Sequence, residues 1–282
     1  MKRVGFRWLE RGSCRHPEFG MIQGGSLCPV DFPALVGVIA HPERGLFLFD
    51  TGYDPAFIEA TGPFPERIYR WTTPASIGAG EEWRAWLAAH DIAEDEIAGL
   101  IVSHFHGDHV AGARHLAGLP MYCARVGLTA LRSGSRLARV RKGLLSALVP
   151  QTMEGQACFF EDAPEVPLPS AFAPFTRGRD ILGDGSLLMV ELPGHCAGHW
   201  GLAFVTGEGQ AVLLAGDAVY TSRAITENTP PPRYVTGMLG DTATYRQTLA
   251  QLVLARAGNA ELAILPSHCP IAAAAFRGGD DA

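Results

Sequence analysis

The sequence predicts a protein of mixed α and β structure, because strand-like and helix-like segments alternate along the chain. Short apolar runs bounded by Gly, Pro or Asp are typical of buried strands. The clearest lie at 34–40, 46–49, 97–102, 121–123, 187–192, 202–205, 211–215 and 262–265. Apolar residues three and four apart predict helices. Such stretches lie at 81–90, 110–116, 124–149 and 241–257.

The N-terminal half starts with a predicted hairpin. The runs 34–40 and 46–49 flank a turn at 41–45, where Pro and Gly end the strands. Residues 1–30 carry scattered glycines and aromatic residues, and no element is predicted there. Residues 61–80 are rich in Pro, Gly and aromatic side chains. They predict an irregular loop that either overhangs a pocket or only covers the core.

The middle of the chain holds its one basic segment. Arginines alternate with leucines over 124–149 in an amphipathic helical pattern, interrupted at Ser133-Gly134. Two interpretations remain open: a helix with a solvated charged face, or a cap whose cations attract an acidic substrate. Residues 156–160 predict a short strand, and the four prolines of 163–174 predict a loop.

The C-terminal half repeats the pattern of strands, a hairpin and a helix. Residues 202–205 and 211–215 predict a hairpin across 207–209. Asp241 is a candidate N-cap for a helix that continues to about Ala257.

Candidate metal ligands follow the predicted strands. The motif H-x-H-x-D-H comes directly after the strand 97–102, and further candidates end three later strands. Loops at strand ends commonly carry active-site groups, so we expect these side chains to lie together. The candidates are His104, His106, Asp108, His109, His195, Asp217 and His268.

The spacing within the motif predicts two adjacent metal ions. Imidazole and carboxylate donors suit zinc, iron or nickel. Alternate residues of an extended segment point the same way, so His104 and His106 share one direction. Asp108 and His109 then face a second direction. An isolated histidine is usually a surface or core residue, but three of the ten histidines fall in this window beside an aspartate.

The composition excludes several classes of function. The chain has 282 residues, is 47% hydrophobic and has a net charge of −6. This length fits one large domain or two small ones. An acidic chain with one short basic segment predicts no nucleic acid partner. The lack of a long apolar run and of a signal-peptide core predicts a cytoplasmic protein with no membrane partner. The six cysteines form no C-x-x-C pair and predict packed thiols.

Asp50 stands at the end of the run 46–49, in Asp50-Thr51-Gly52. Such an aspartate can hydrogen-bond loop amides or a metal-bound histidine. A simple turn aspartate is the alternative.

From about Val36 to His268 the chain resembles the metallo-β-lactamase superfamily. The motif at 104–109 is followed in order by Pro193-Gly194-His195, by Gly216-Asp217 and by a late His268 after an apolar strand. The resemblance implies an α+β fold, a four-layer αβ/βα sandwich. It also implies a single domain over 1–282, with a possible helical and loop cap insertion at about 124–180.

The resemblance further implies how the candidate residues share two divalent ions. His104, His106 and His195 would hold one ion, Asp108, His109 and His268 the other, and Asp217 would bridge them. Asp50 would support a ligand, and His199 would be a structural residue near the site. Zinc is the default metal, while iron, manganese or cobalt would also suit these donors.

One detail is similar to the N-acyl homoserine lactonase branch. Tyr220 lies three residues after Asp217, an offset at which that branch carries a tyrosine that stabilises the oxyanion of the opened lactone. The alternative is a tyrosine that packs on the loop. A hydroxide shared by the two ions would attack the carbonyl, and Asp108 would assist proton transfer. The long gap between His109 and His195, and Cys269-Pro270 after His268, depart from the branch.

The leading hypothesis is therefore a metal-dependent hydrolase whose partner is a small lactone or ester, with acyl-homoserine lactones favoured. Candidate acyl-pocket residues are Phe64, Tyr69, Trp71 and the segment around Leu144. The alternatives are a thioesterase similar to glyoxalase II and a metal-containing binding or regulatory protein with little turnover. The sequence leaves the substrate, the metal and the oligomeric state, monomer or dimer, open.

Overall fold

A computed structural model describes residues 1–276, so the last six residues of the predicted domain lie outside the described part. The strands are β1 (Arg3–Pro17), β2 (Pro29–His41), β3 (Gly45–Phe49), β4 (Ala75–Ser76), β5 (Ile97–Ile101), β6 (Met121–Cys123), β7 (Ala157–Phe159), β8 (Glu165–Pro167), β9 (Arg177–Asp180), β10 (Leu188–Glu191), β11 (Trp200–Thr206), β12 (Ala211–Gly216) and β13 (Ala263–Pro266). The α-helices are α1 (Pro55–Ala60), α2 (Arg67–Thr72), α3 (Trp83–Ala89), α4 (Gly107–Val110), α5 (Arg125–Arg132), α6 (Arg136–Arg141), α7 (Ser222–Thr226), α8 (Arg233–Leu239), α9 (Thr242–Gly258) and α10 (Pro270–Ala275).

The strands form two sheets that meet at β1. The first sheet runs β7-β6-β5-β3-β2-β1, with β4 added beside β1. The second contains β8 to β13, in the order β8-β9-β10-β11-β12-β13. The start of β1 joins them, because Arg3 and Val4 pair in parallel with Val205 and Thr206 of β11.

Alternating side chains on these strands build three apolar layers. In β12, Val212 and Leu214 pack between the sheets, while Leu213 and Ala215 pack on the outer face. The period of two along a strand explains this separation. The outer layer beyond the second sheet includes residues of α7 and α9, and the one beyond the first sheet includes residues of α1 and α3. The molecule is thus the predicted α+β sandwich, with helices outside both sheets.

Strand β1 is the largest element without a sequence prediction. Its pairing register with β2 shifts between Glu10 and Ser13, at a bulge that contains Gly12. A bulge interrupts the alternation of side chains, so the pattern of two expected for a strand does not extend along β1. Arg11 also lies in this interval and is fully buried, which no simple apolar pattern would indicate.

Two predicted loops contain regular elements. The irregular loop 61–80 contains α2 and β4, and the proline-rich loop 163–174 contains β8. The basic segment forms α5 and α6, separated at Ser133-Gly134 as predicted. Helix α8 was not predicted. The hairpin of β2 and β3, that of β11 and β12, and the Asp241 cap on α9 match the sequence analysis.

A buried ion pair and two hydrogen bonds connect β1 to the metal motif. The Arg11 guanidinium lies 2.6 Å from an Asp54 carboxylate oxygen, and both side chains are buried. It also donates to the Thr51 carbonyl at 2.8 Å, and the Thr51 hydroxyl donates to the His109 carbonyl at 3.0 Å. A buried cation needs such partners, because an unpaired charge in the interior is strongly unfavourable.

Among the helices of residues 1–276, none combines the length and the apolar character needed to cross a membrane.

Candidate metal centre

The structure brings all seven predicted ligands together at the ends of four strands. The motif follows β5, and the other ligands follow β10, β12 and β13. All seven side chains are buried, and the most exposed, Asp108, is 8% accessible. Rigid strands thus hold the loops whose side chains form the cluster.

The first set of donor atoms comprises three histidine nitrogens and one oxygen of Asp217. His195 Nε2 lies 2.9 Å from His106 Nδ1 and 3.4 Å from Asp217 Oδ2. His104 Nε2 lies 3.8 Å from the same oxygen. Ligand atoms about 2.0–2.1 Å from a tetrahedral zinc ion are roughly 3.3–3.4 Å apart. The spacing of this set is close to that geometry.

The second set uses the other oxygen of Asp217. His268 Nε2 and His109 Nε2 lie 3.3 Å and 3.4 Å from Asp217 Oδ1. The same two nitrogens lie 3.2 Å and 3.6 Å from Asp108 Oδ2. One carboxylate therefore faces both sets, one oxygen to each.

Atoms of the cluster lack hydrogen-bond partners within the described chain. His104 Nε2, His109 Nε2 and Asp217 Oδ1 are buried and make no hydrogen bond. Buried polar atoms in native proteins are almost always satisfied, so each such atom needs a partner. Convergent neutral imidazoles and ionised carboxylates are the donors that divalent metals take. The residues present therefore fit a metal centre.

Partners behind the histidines fix the direction of the free nitrogens. His109 Nδ1 donates to Asp50 at 2.8 Å, and His268 Nδ1 donates to the Pro33 carbonyl at 2.8 Å. Asp50 also accepts from the backbone and the hydroxyl of Ser103. Bonds of this kind orient a metal-binding imidazole and select its tautomer. Asp50 is thus bonded to a motif histidine and a loop amide, which is the first of its two interpretations.

His199 is bonded on both ring nitrogens and has none left to offer a metal. Its Nδ1 donates to the Leu192 carbonyl at 2.9 Å, and its Nε2 accepts from the Asp217 N–H at 2.9 Å. Burial lowers the pKa of His199 to about 4, which keeps the ring neutral and the acceptor available. The ring therefore holds the backbone of Asp217 in place.

The charge states within the cluster suit cation binding. Burial alone would raise the pKa of Asp217, but His268 and His109 beside it hold that pKa well below its usual range. The pKa of Asp108 is lowered by the same two histidines. Burial lowers the pKa of His106 to about 4, so this imidazole is neutral. Ionised carboxylates and neutral imidazoles are the forms that bind a metal.

The pKa values of His109 and His268 shift in the opposite direction. Burial would lower the pKa of each ring, but Asp217 and Asp108 raise both well above the ordinary histidine value. Binding of a metal to these nitrogens must therefore displace protons, which makes metal affinity dependent on pH.

The cluster lies at the floor of a cavity of about 400 Å³. Tyr220 lines this cavity, with its Oη 3.3 Å from His195 Nδ1. Burial raises the pKa of Tyr220 well above its usual value, so the phenol remains protonated. Of the expected acyl-pocket residues, Tyr69 lines the cavity, whereas Phe64 and Trp71 are exposed elsewhere and Leu144 packs in the core.

The loop 61–80 also contributes Ile68, Thr72 and Thr73 to the cavity wall, whereas other parts of the wall come from segments without a functional prediction. Phe19 and Met21 follow β1, and Tyr234 and Met238 belong to α8. These residues are far apart in sequence and share no motif, so only the three-dimensional structure groups them. Of the leucines in the basic segment, Leu137 lines the cavity.

The family of the chain is established by a match over most of its length. The model of the metallo-beta-lactamase superfamily matches residues 29–268, so the chain belongs to this superfamily. Together with the His/Asp cluster, this makes the protein a metal-dependent hydrolase.

Solved structures with the same fold include three lactonases. A variant of B. thuringiensis AiiA with N-decanoyl-L-homoserine bound at its active site is 17% identical, with a TM-score of 0.71 and coverage of 95% of each chain. An N-acyl homoserine lactone hydrolase with N-hexanoyl-L-homoserine at its catalytic metal centre is 16% identical, with a TM-score of 0.72 and coverage of 95% of each chain. AidC, a dizinc quorum-quenching lactonase, is 14% identical, with a TM-score of 0.63, and 96% of this chain and 92% of AidC are covered. At these identities the likeness shows a shared fold.

Proposed function

We propose that the protein is a dinuclear metal hydrolase that opens a lactone ring, with acyl-homoserine lactones as the favoured class. The observation that carries this proposal is the division of the donor atoms into two sets that share Asp217. The sets lie below an apolar-walled cavity. Two solved structures of similar fold have acyl-homoserines bound, which supports this substrate class.

We assign one ion to each set, with zinc as the expected metal. His104, His106 and His195 would hold the first ion, and Asp108, His109 and His268 the second. Asp217 would bridge them through its two oxygens. Two divalent ions so placed would generate a nucleophile from water at neutral pH and polarise the carbonyl that it attacks.

Two side chains would then assist the reaction directly. Since His195 Nε2 faces the first set, its Nδ1 carries the proton and donates to the Tyr220 oxygen. The phenol hydrogen of Tyr220 is left to donate to the carbonyl oxygen of the substrate as negative charge develops there. Asp108 lines the cavity beside the second donor set, so its carboxylate would carry the proton from the nucleophile to the ring oxygen that leaves.

The test is hydrolysis of a matched substrate panel by the zinc-reconstituted protein. The panel contains acyl-homoserine lactones of short and long chain, simple lactones and a glutathione thioester. Fast, chain-dependent opening of the lactones is the expected result. Slow lactone turnover beside fast thioester turnover would overturn the substrate class and leave the metal centre in place.

A further inference from the structure

The arginines of the basic segment differ in whether the chain supplies them with a partner. Four of them are bonded to acidic side chains or carbonyls of the protein. These are Arg125 with Asp162, Arg132 with Glu154, Arg136 with Glu66, and Arg139 with the Gly134 carbonyl. Arg141, at the end of α6, makes no ion pair or side-chain hydrogen bond within residues 1–276. Its charge is therefore available to bind a ligand.

Helix α6 presents Arg141 to the cavity. Leu137, Val140 and Arg141 all line it, and these positions lie at i, i+3 and i+4 on one face of the helix. Arg141 thus belongs to the same cavity wall as two apolar side chains.

Backbone contacts fix this wall relative to the candidate ligands. Leu144 and His106 form an isolated antiparallel bridge, three residues after Arg141. Gly143 packs against the His106 ring, where an added Cβ would lie 2.9 Å from a ring carbon. The backbone immediately after Arg141 is therefore held against His106 of the metal motif.

The cavity contains no acid that is available to Arg141. Among the described residues, the only acids that line it are Asp108 and Asp217, and both belong to the metal centre. The Arg141 side chain is exposed to solvent, has an apolar wall on one side and has no acidic partner, so its charge is available to an anion that enters the cavity.

We propose that Arg141 is a specificity residue that binds an anionic group on the acyl part of the substrate. This inference rests on the proposed lactone hydrolysis and names its substrate class: a lactone whose acyl chain ends in a carboxylate or a similar acidic group. The metal centre acts on the ring, while Arg141 holds the far end of the acyl chain.

The test compares N-adipoyl-homoserine lactone with N-hexanoyl-homoserine lactone. The two acyl chains have the same length, and the first carries a carboxylate where the second carries a methyl group. We expect Arg141→Gln to raise KM for the adipoyl substrate about threefold, because one solvent-exposed ion pair is lost. Kinetics with the hexanoyl substrate should remain unchanged. High salt should weaken the preference of the unmodified protein.

Lys142→Gln provides the matched control, because Lys142 is the adjacent cation but does not line the cavity. An equal effect of both substitutions on the adipoyl substrate would show a general effect of charge and overturn the proposal. So would an equal effect of Arg141→Gln on both substrates.

A binding experiment separates failure of this inference from failure of the proposed function. Calorimetry with the ring-opened N-adipoyl- and N-hexanoyl-homoserines needs no turnover. Tighter binding of the adipoyl compound, lost in Arg141→Gln and kept in Lys142→Gln, supports the anion site even if neither lactone is opened. Equal binding of the two compounds overturns it, whatever the lactonase assay shows.

Discussion

At the scale of single residues, Asp217 has more functions in this centre than any other ligand. Its two carboxylate oxygens face different histidine pairs, and its backbone N–H is held by His199. A side chain with one donor atom could not serve both sets. The bridging interpretation therefore makes a prediction that concerns both metal content and activity.

Asp217→Ala should lose metal and activity together. Removal of the shared carboxylate leaves each set with three donors and removes a negative charge from between two cations. Hydrolysis should fall by about a hundredfold or more, and metal analysis after gel filtration should find fewer ions per chain. Asp31→Ala, at an exposed aspartate of β2, is the control. Full metal stoichiometry in Asp217→Ala would refute the bridging role.

Tyr220→Phe tests the catalytic role of the phenol. The substitution removes one hydrogen-bond donor and keeps the ring, so we expect kcat to fall by about a hundredfold while metal content is unchanged. Tyr245→Phe is a matched control, because Tyr245 is also a buried tyrosine but does not line the cavity. If Tyr220 only packs on its loop, the two variants should behave alike in steady-state kinetics.

At the scale of elements, the structure shows which segments can be predicted from sequence and which cannot. The strand β5 and its motif are local: an apolar run followed by closely spaced ligands. Their nature follows from a few consecutive residues. The middle of β1 is different, because the bulge around Gly12 interrupts its period of two and Arg11 is buried beside its partner Asp54.

The cavity wall and the groups that orient the candidate ligands were harder to predict for another physical reason. The Pro33 carbonyl that orients His268 is a backbone atom, and such an atom has no sequence signature. Helix α8 contributes Tyr234 and Met238 to the cavity, but both are largely exposed and follow a run of three prolines. Exposed apolar residues after prolines predict a turn as readily as a pocket.

Helix α9 provides a test of the outer apolar layer. Leu252 is fully buried against the second sheet, so Leu252→Ala should lower the free energy of unfolding by about 2–5 kcal/mol through lost contacts and a cavity. Leu254, two residues away, is 60% exposed, and Leu254→Ala should change the free energy by less than about 0.5 kcal/mol. Denaturant titration measures both. Similar losses in the two variants would contradict the packing described for α9.

The buried pair of Arg11 and Asp54 predicts a pH-dependent contribution to stability. Burial would raise the pKa of Asp54, but bonds from His115, the Ala56 N–H and Arg11 outweigh it and hold that pKa well below its usual range. Since the folded state binds this proton less readily, the contribution is complete above the ordinary aspartate pKa of about 3.9. It is lost progressively as the pH falls below that value.

Asp54→Asn should therefore be less stable than the unmodified protein at neutral pH, and the difference should shrink below about pH 4. Thermal unfolding at a series of pH values measures it. Glu59→Gln, which removes an exposed partner of Arg114, is the control and should show little difference at any pH. A difference that stays constant down to strongly acidic pH would contradict the assigned role of the pair.

At the scale of the whole molecule, the sandwich and the metal centre depend on each other. The two sheets place four strand ends beside one another, and the cluster connects loops from both sheets. The cluster contains ionised carboxylates beside buried nitrogens that make no hydrogen bond within the described chain. A ligand that binds only the folded state stabilises it in proportion to the logarithm of its concentration over its Kd.

Metal loading should therefore raise the melting temperature of the chelator-treated protein. A thousandfold excess of free zinc over the Kd corresponds to about 4 kcal/mol, or a rise in Tm on the order of 5–10 °C for a chain of this size. Differential scanning calorimetry, with a chelator and then with added zinc, measures this rise.

Because His109 and His268 must release protons, the rise should be smaller at lower pH. Asp217→Ala should show a reduced rise, whereas Tyr220→Phe should keep it. The same Tm with and without zinc would mean that the cluster is satisfied by its own hydrogen bonds and would remove the basis for the metal centre.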